Sequence, residues 1–415
     1  MKRITATLCL TIVTIYGIAQ QITYEQYMQN VINNNTLLMA QSIGIEIAQA
    51  NLKNSKIYND PTLSVEYGNN EDWDKKLGYS IGAELSRKFT FGVRRAAINL
   101  ANKEMQAATA VFNDYMRNFH ADATIAYLTH LRAKALLETA AKREKYMQQL
   151  SESDSLRFVR GDIAKTSWIE AQLAASLAHN ERLTAEAEYR NTAIILGYYM
   201  GNLKNAEQIT ATGNLEECST PIKEPDYYIE KALMNRADLT AAISKVDIAE
   251  AQKRLGSARR RIDIQLSVGA EYNKGAHRNT PEEPSFTKLK VGASIPMKFS
   301  NLNRGAKAME AAKVEQAQNE LADTRLRIQS EVIQAYNNCN TAQMQINTFT
   351  RKMLADVAEL LKSKRKAYQA GEISFVEFIE TERSDNLIQE EYINALFNNA
   401  VSRVELLRSI GISKE

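Results

Sequence analysis

The feature that most constrains the fold is an internal duplication. Ser80–Arg94 superposes on Lys290–Arg304 at a constant offset of 210. Gly82/Gly292, Ala83/Ala293, Lys88/Lys298, Phe89/Phe299 and Arg94/Arg304 are identical. The same offset puts Gly161 on Gly371, within Arg-Phe-Val-Arg-Gly-Asp-Ile and Ala-Tyr-Gln-Ala-Gly-Glu-Ile. Upstream, Leu63-Ser-Val65 matches Leu266-Ser-Val268 at an offset of 203. A chain of 415 residues that repeats in this way is one unit made twice, not three unrelated domains. The expected organisation is a leader over 1–19, a first repeat over 20–200, a linker over 201–225 rich in Gly and Pro, and a second repeat over 226–415.

Each repeat reads as helix, two strands, very long helix, turn, helix. No Gly or Pro interrupts the chain from Val93 to Arg160, nor from Ala306 to Ala370. At a rise of 1.5 Å per residue, ~65 helical residues span on the order of 100 Å, far beyond a globular helix. Ile98, Ala101, Met105, Ala108, Phe112, Tyr115 and Phe119 alternate spacings of three and four, the seam of a coiled coil.

The strands alternate cleanly. Leu63, Val65 and Tyr67 share one face, as do Tyr79, Ile81, Ala83 and Leu85; the second repeat does the same with Ile262, Ile264, Leu266, Val268, Ala270 and with Leu289, Val291, Ala293, Ile295. One apolar and one polar face suit half-burial, either on a soluble core or against lipid. Four strands are too few to close a barrel of adequate size, so a membrane barrel requires several chains to share one. The loops from Asn69 to Lys76 and from Asn273 to Ser285 are polar and read as hairpin ends exposed to water.

Lys2 and Arg3 precede an apolar run that ends in Gly17-Ile18-Ala19, the pattern of a secretory signal cut after Ala19. The run is short of the ~20 residues that a spanning helix needs, and charges interrupt every later apolar run. Removing the leader leaves 50 basic and 49 acidic residues, too even a balance for a nucleic-acid surface. Cys218 and Cys339 remain, and the sequence leaves open whether they pair. No nucleotide-binding loop, nucleophile elbow, zincin motif or paired Cys-x-x-Cys occurs, so neither an enzyme nor a cofactor is expected. His120 and His130 read as solvated helix residues. The run Arg259–Arg261 suits either lipid headgroups or a helix end stabilised by the dipole.

The signal, the duplicated helix–hairpin–long-helix unit, the Ala-rich heptad, Leu85–Arg94, Ile295-Pro296, Asn235-Arg-Ala-Asp-Leu239 and the Gly-marked tips together resemble the TolC family of outer-membrane efflux ducts. The resemblance covers essentially the whole mature chain. It implies a mainly α fold with a transmembrane β part: a homotrimer with a periplasmic α-barrel and a shared twelve-stranded β-barrel. It also implies a passive outer-membrane channel of a tripartite efflux or type I secretion system. The partners would be a periplasmic adaptor, an inner-membrane RND or ABC pump, and outer-membrane lipid. A periplasmic adaptor would have one hairpin among small β domains, and a coiled-coil scaffold would need no strands; both rivals fit the duplicated strands poorly.

Function is then expected at the tips. Gly161 and Gly371 suit turns of positive φ, and the resemblance places adaptor docking beside them. Glu377 and Glu380 lie three apart on one helix face. By resemblance they would form the acidic pore constriction; a solvated helix start, where acids favour the dipole, is the alternative. Tyr368 aligns with a family tyrosine that holds the tip closed, and Thr166 stands where the first tip could join it. Ile373 occupies a position where the family pattern has arginine, which argues against an identical closing network. The exported substrate is not readable; the short length resembles the metal-efflux branch.

Overall fold

The computed structural model describes residues 20–72, 75–215, 222–275, 285–297 and 304–412. The expected leader, Cys218 and His277 lie outside them. The first repeat contributes β1 (Gln20–Ile22), α1 (Tyr24–Asn34), α2 (Thr36–Ser55), β2 (Thr62–Asp72), β3 (Lys75–Thr90), α3 (Val93–Arg160) and α4 (Lys165–Tyr199). Within the expected linker, a 3₁₀ turn (Ala206–Gln208) leads into β4 (Ile209–Ala211). The second repeat contributes α5 (Pro225–Asn235), α6 (Ala237–Arg259), β5 (Asp263–Lys274), β6 (Phe286–Ser294), α7 (Arg304–Thr348), α8 (Arg351–Ala370) and α9 (Phe375–Ile410). By contacts the chain forms two compact units, each drawing on both repeats: one of 1–40, 115–236 and 328–415, the other of 41–114 and 237–327.

The second of these units holds a four-stranded antiparallel sheet ordered β2-β3-β5-β6. The hairpins β2–β3 and β5–β6 follow the predicted alternation, and β3 joins β5 through pairs such as Ala83↔Ala270 and Leu85↔Val268. This register carries one face across all four strands: Val65↔Ala83↔Ala270↔Leu289 is apolar throughout. That apolar face is uncovered, with Val65 70% and Val291 84% exposed. Among the described residues no strand pairs with the outer edges of β2 and β6. Around the sheet, Lys103 on α3 pairs with Asp247 on α6 at 2.8 Å. Arg260 pairs with Glu310 on α7 at 3.0 Å. Of the arginine run at the end of α6, Arg260 is thus held by a carboxylate.

In the other unit, β1 and β4 form a small parallel pair that the linker pattern did not announce. Tyr127 of α3 fastens it, its hydroxyl 3.1 Å from the Ile22 carbonyl oxygen and 2.6 Å from that of Thr212. The paired helices α1/α2 and α5/α6 each break where they meet the end of a long helix. At the first break, buried Asn35 donates to the Tyr199 carbonyl (2.9 Å) and caps Leu38 N–H (3.0 Å). At the second, buried Arg236 donates to the Ser409 carbonyl (3.2 Å) and pairs with Glu331 (2.6 Å). Gly201 and Gly411, 210 apart, both have positive φ, and a Cβ on Gly201 would stand 2.4 Å from the Asn34 carbonyl oxygen. Only glycine allows so close an approach in that conformation.

Two expectations are corrected. The helix predicted from Ala306 to Ala370 is two helices, α7 and α8, broken at Phe349–Thr350 without Gly or Pro. The Thr350 hydroxyl accepts from Met353 N–H at 3.1 Å and caps α8, while Phe349 packs on Tyr392 beside Ile346, Ala395 and Leu396. A cap and an aromatic anchor here outweigh helix propensity. His130 is fully buried, not solvated: its Nδ1 lies 2.9 Å from the Thr192 hydroxyl and its ring stacks on Tyr189. His120 is half-buried. Of the residues expected on the heptad seam, Ala101 and Phe119 are buried and the others half-buried.

Candidate functional site at the helical tips

The two tips share one construction. Each long helix ends on a glycine of positive φ, Gly161 (82°) and Gly371 (78°), and the residue after it donates back into the last turn. Asp162 N–H reaches the Arg157 carbonyl and Glu372 N–H the Ala367 carbonyl, both at 2.9 Å. These bonds satisfy carbonyls that a helix end otherwise leaves open. An aromatic pair then clamps each turn: Phe158 stacks on Trp168 at 5.1 Å, and Tyr368 on Phe378 at 5.3 Å. Phe158 and Tyr368 are 210 apart, and so are Trp168 and Phe378. This repeat-matched clamp was present in the sequence and went unread.

The tips differ in what surrounds the clamp. Tyr368 is buried among Met147, Leu150, Ala171, Phe375, Phe378 and Ile379, with Ile373 packed against the same cluster. The arginine expected from the family pattern is thus replaced by an apolar contact. The Tyr368 hydroxyl donates to Asp154 Oδ2 at 2.6 Å, and Arg157 reaches Asp154 Oδ1 at 3.3 Å. Arg157 also lies over the Tyr368 ring, 5.4 Å from its centre. Burial, the hydrogen bond to Asp154 and that carboxylate's charge push the phenol well above its ordinary pKa, so it stays a donor. Asp154 sits on α3 and Tyr368 on α8, so this bond ties the hairpin α3/α4 to the hairpin α8/α9. Thr166 lies exposed in the first turn of α4; Asp154, not Thr166, takes the hydroxyl of Tyr368.

Glu377 and Glu380 are both exposed in the first turns of α9. The Ser374 hydroxyl caps this helix by accepting from Glu377 N–H, and Lys364 of α8 pairs with the Glu377 carboxylate. Further from the turn, Arg143 of α3 holds a buried carboxylate, Glu382 of α9, at 3.1 Å, and also pairs with Glu181 of α4. At Glu382 burial outweighs the attraction of Arg143 and raises the carboxyl pKa. At Arg143 burial opposes the charge, but the two carboxylates outweigh it and raise the guanidinium pKa. Sequence reading missed Asp154, Arg143 and Glu382, since a charge on a long helix looks the same whether it faces water or a partner.

Among the described residues no group of His, Cys, Asp and Glu could hold a metal ion, and no helix is long and apolar enough to cross a membrane. Cys339 is buried. Residues 228–412 match the family model described as outer membrane efflux protein. The curated cobalt-zinc-cadmium resistance protein CzcC of Cupriavidus metallidurans is 19% identical over 95% of this chain and 91% of its own length. The Campylobacter jejuni outer membrane channel CmeC shares the fold with a TM-score of 0.76 at 13% identity, over 93% of this chain and 85% of its own. The open-state Neisseria gonorrhoeae outer membrane channel MtrE does so with a TM-score of 0.73 at 14% identity, over 94% and 89%. The second half of the chain thus matches the outer membrane efflux protein family, and the chain as a whole shares the fold of the outer-membrane channels.

Proposed function

We propose that three copies of this chain form a passive export duct in the outer membrane, receiving substrate from an inner-membrane pump through a periplasmic adaptor. The observation that carries the reading is the sheet's register, which lays one apolar face over four strands and, among the described residues, leaves both outer edges unpaired. Lipid is the solvent for that face, and three sheets of four strands close a twelve-stranded barrel in which no edge remains. The chain itself supplies no energy; pump and adaptor do.

At the tips, Glu377 and Glu380 face the axis in this reading, gathered by threefold symmetry into an acidic constriction that attracts cations. The buried Tyr368–Asp154 bond holds the second hairpin against the first and keeps that constriction narrow. Adaptor hairpins dock beside Gly161 and Gly371. The name of the curated relative points the substrate towards divalent metal cations. With no ligand cluster among the described residues, such ions would pass without being coordinated.

The test is single-channel conductance of the mature protein in planar bilayers, beside Glu377→Ala/Glu380→Ala. Small cation-selective steps that enlarge or lose selectivity in the double variant are expected. Steps unchanged by it would reduce both acids to a solvated helix face. A membrane-extracted protein that never conducts would overturn the duct.

A further inference from the structure

We propose that Lys288 and Lys290, with Glu66, Glu84 and Glu271, form a net-negative charge belt on the polar face of the sheet that selects cations independently of Glu377 and Glu380. This rests on the duct reading, in which the polar face lines water.

The register places these residues. One cross-strand row runs Glu66, Gly82, Glu271, Lys288, and the adjacent same-face row runs Ser64, Glu84, Gly269, Lys290. Each glutamate has a glycine opposite it on a neighbouring strand. The face is concave there: a polar hollow of about 230 Å³ is lined by Ser64, Glu66, Ser80, Glu84, Glu271 and Lys290. Gly82 and Gly269 keep its floor clear. A Cβ on Gly269 would press within 2.9 Å of the Ala83 carbonyl oxygen and 3.1 Å of the Glu84 Cβ. Long charged side chains therefore stand over bare backbone.

The charges do not cancel. Lys290 pairs with Glu271 and stands in the field of Glu66 and Glu84 as well. With Lys288 opposite Glu271, two ammonium groups face three carboxylates, one net negative charge per chain. The Lys88–Asp263 pair, 3.0 Å apart, is balanced and leaves that excess unchanged. A diagonal pair meant only to secure register would need one acid for each lysine. Threefold repetition turns the excess into a ring, and a ring of fixed charge with low-dielectric walls concentrates counter-ions.

The experiment reads reversal potential across a KCl gradient, with Glu377→Gln/Glu380→Gln as the background so that those two acids contribute no charge. That background should still prefer K⁺. Lys290→Gln doubles the net charge of the belt and should raise the K⁺/Cl⁻ permeability ratio about twofold at low salt. Glu84→Gln/Glu271→Gln makes the belt net positive and should reverse the sign of the potential. Both shifts should fade near 1 M salt, where the Debye length is about 3 Å. The variants move in opposite directions, so either one that inserts decides the matter. Conducting channels whose ratio stays put in the variants overturn the belt while leaving the duct intact. Absence of conductance in the wild-type protein overturns the duct and the belt with it.

Discussion

Replacing Tyr368 with phenylalanine removes one oxygen from the tip and little else. The ring keeps its stack on Phe378 and its edge contact with Phe375, so the aromatic cluster survives. What is lost is the 2.6 Å bond to Asp154, a carboxylate with no exposed surface. A hydrogen bond to a charged acceptor contributes about 1.5–3 kcal/mol, and here its loss also leaves Oδ2 unpaired in the interior. Arg157 still reaches Oδ1 at 3.3 Å, which favours the lower half of that range. At 1.4 kcal/mol per factor of ten, each chain should shift its fastened-to-released ratio by about 10- to 40-fold. Open lifetimes in planar bilayers should lengthen accordingly, with the proposed trimer still intact on a semi-native gel. In an Asp154→Asn background the same substitution should do much less, because the charge that strengthens the bond is gone. Unchanged open lifetimes in Tyr368→Phe, together with an unchanged denaturation midpoint, would refute the argument that this bond fastens the hairpins. A moved midpoint with unchanged gating would leave the bond structural only.

Three further outcomes are expected. Gly201→Ala combines a φ of 69° with a Cβ 2.4 Å from the Asn34 carbonyl oxygen, whereas Gly161→Ala at 82° meets nothing within 4 Å. Urea melts should show about 1–2 kcal/mol lost at Gly161 and clearly more at Gly201. Burial, followed by the charge of Lys134, pushes His130 down to about 4 from an ordinary 6.5, so folding disfavours its protonated form. The stability this residue supports is present above pH 6.5 and declines as pH falls towards 4, and the pH slope of the urea midpoint should flatten in His130→Phe. Val65→Arg puts a charge on the face proposed to meet lipid, at a cost of about 2–4 kcal/mol near the midplane, so membrane assembly should fall. Ser64→Arg, on the opposite face, should be tolerated, and equal assembly of both variants would mean the faces are misassigned.

Much of the architecture was legible because it is periodic. Alternation at two residues placed β2, β3, β5 and β6, and a breaker-free heptad run placed α3 from Val93 to Arg160. The same reading missed the gap between α7 and α8, where the signal was a threonine cap and one phenylalanine rather than a breaker. It also missed the strand pair β1–β4, since three-residue strands 187 residues apart leave no local pattern. At the tips, Gly161 and Gly371 were legible from a backbone requirement that only glycine meets cheaply. Asp154, which takes the Tyr368 hydroxyl, carried no such signal.

By itself the sequence determined the repeat, the elements and their two-faced strands, because local sterics and hydrophobic period act on neighbours along the chain. Only the tertiary structure decided which partners meet. The β3–β5 register that aligns Glu84 with Gly269, the choice of Asp154 for Tyr368, and the burial of His130 and Glu382 all join residues tens to hundreds of positions apart. Such pairings follow from how helices and strands pack in space, where a one-residue slip or a turn of a helix exchanges a buried partner for water.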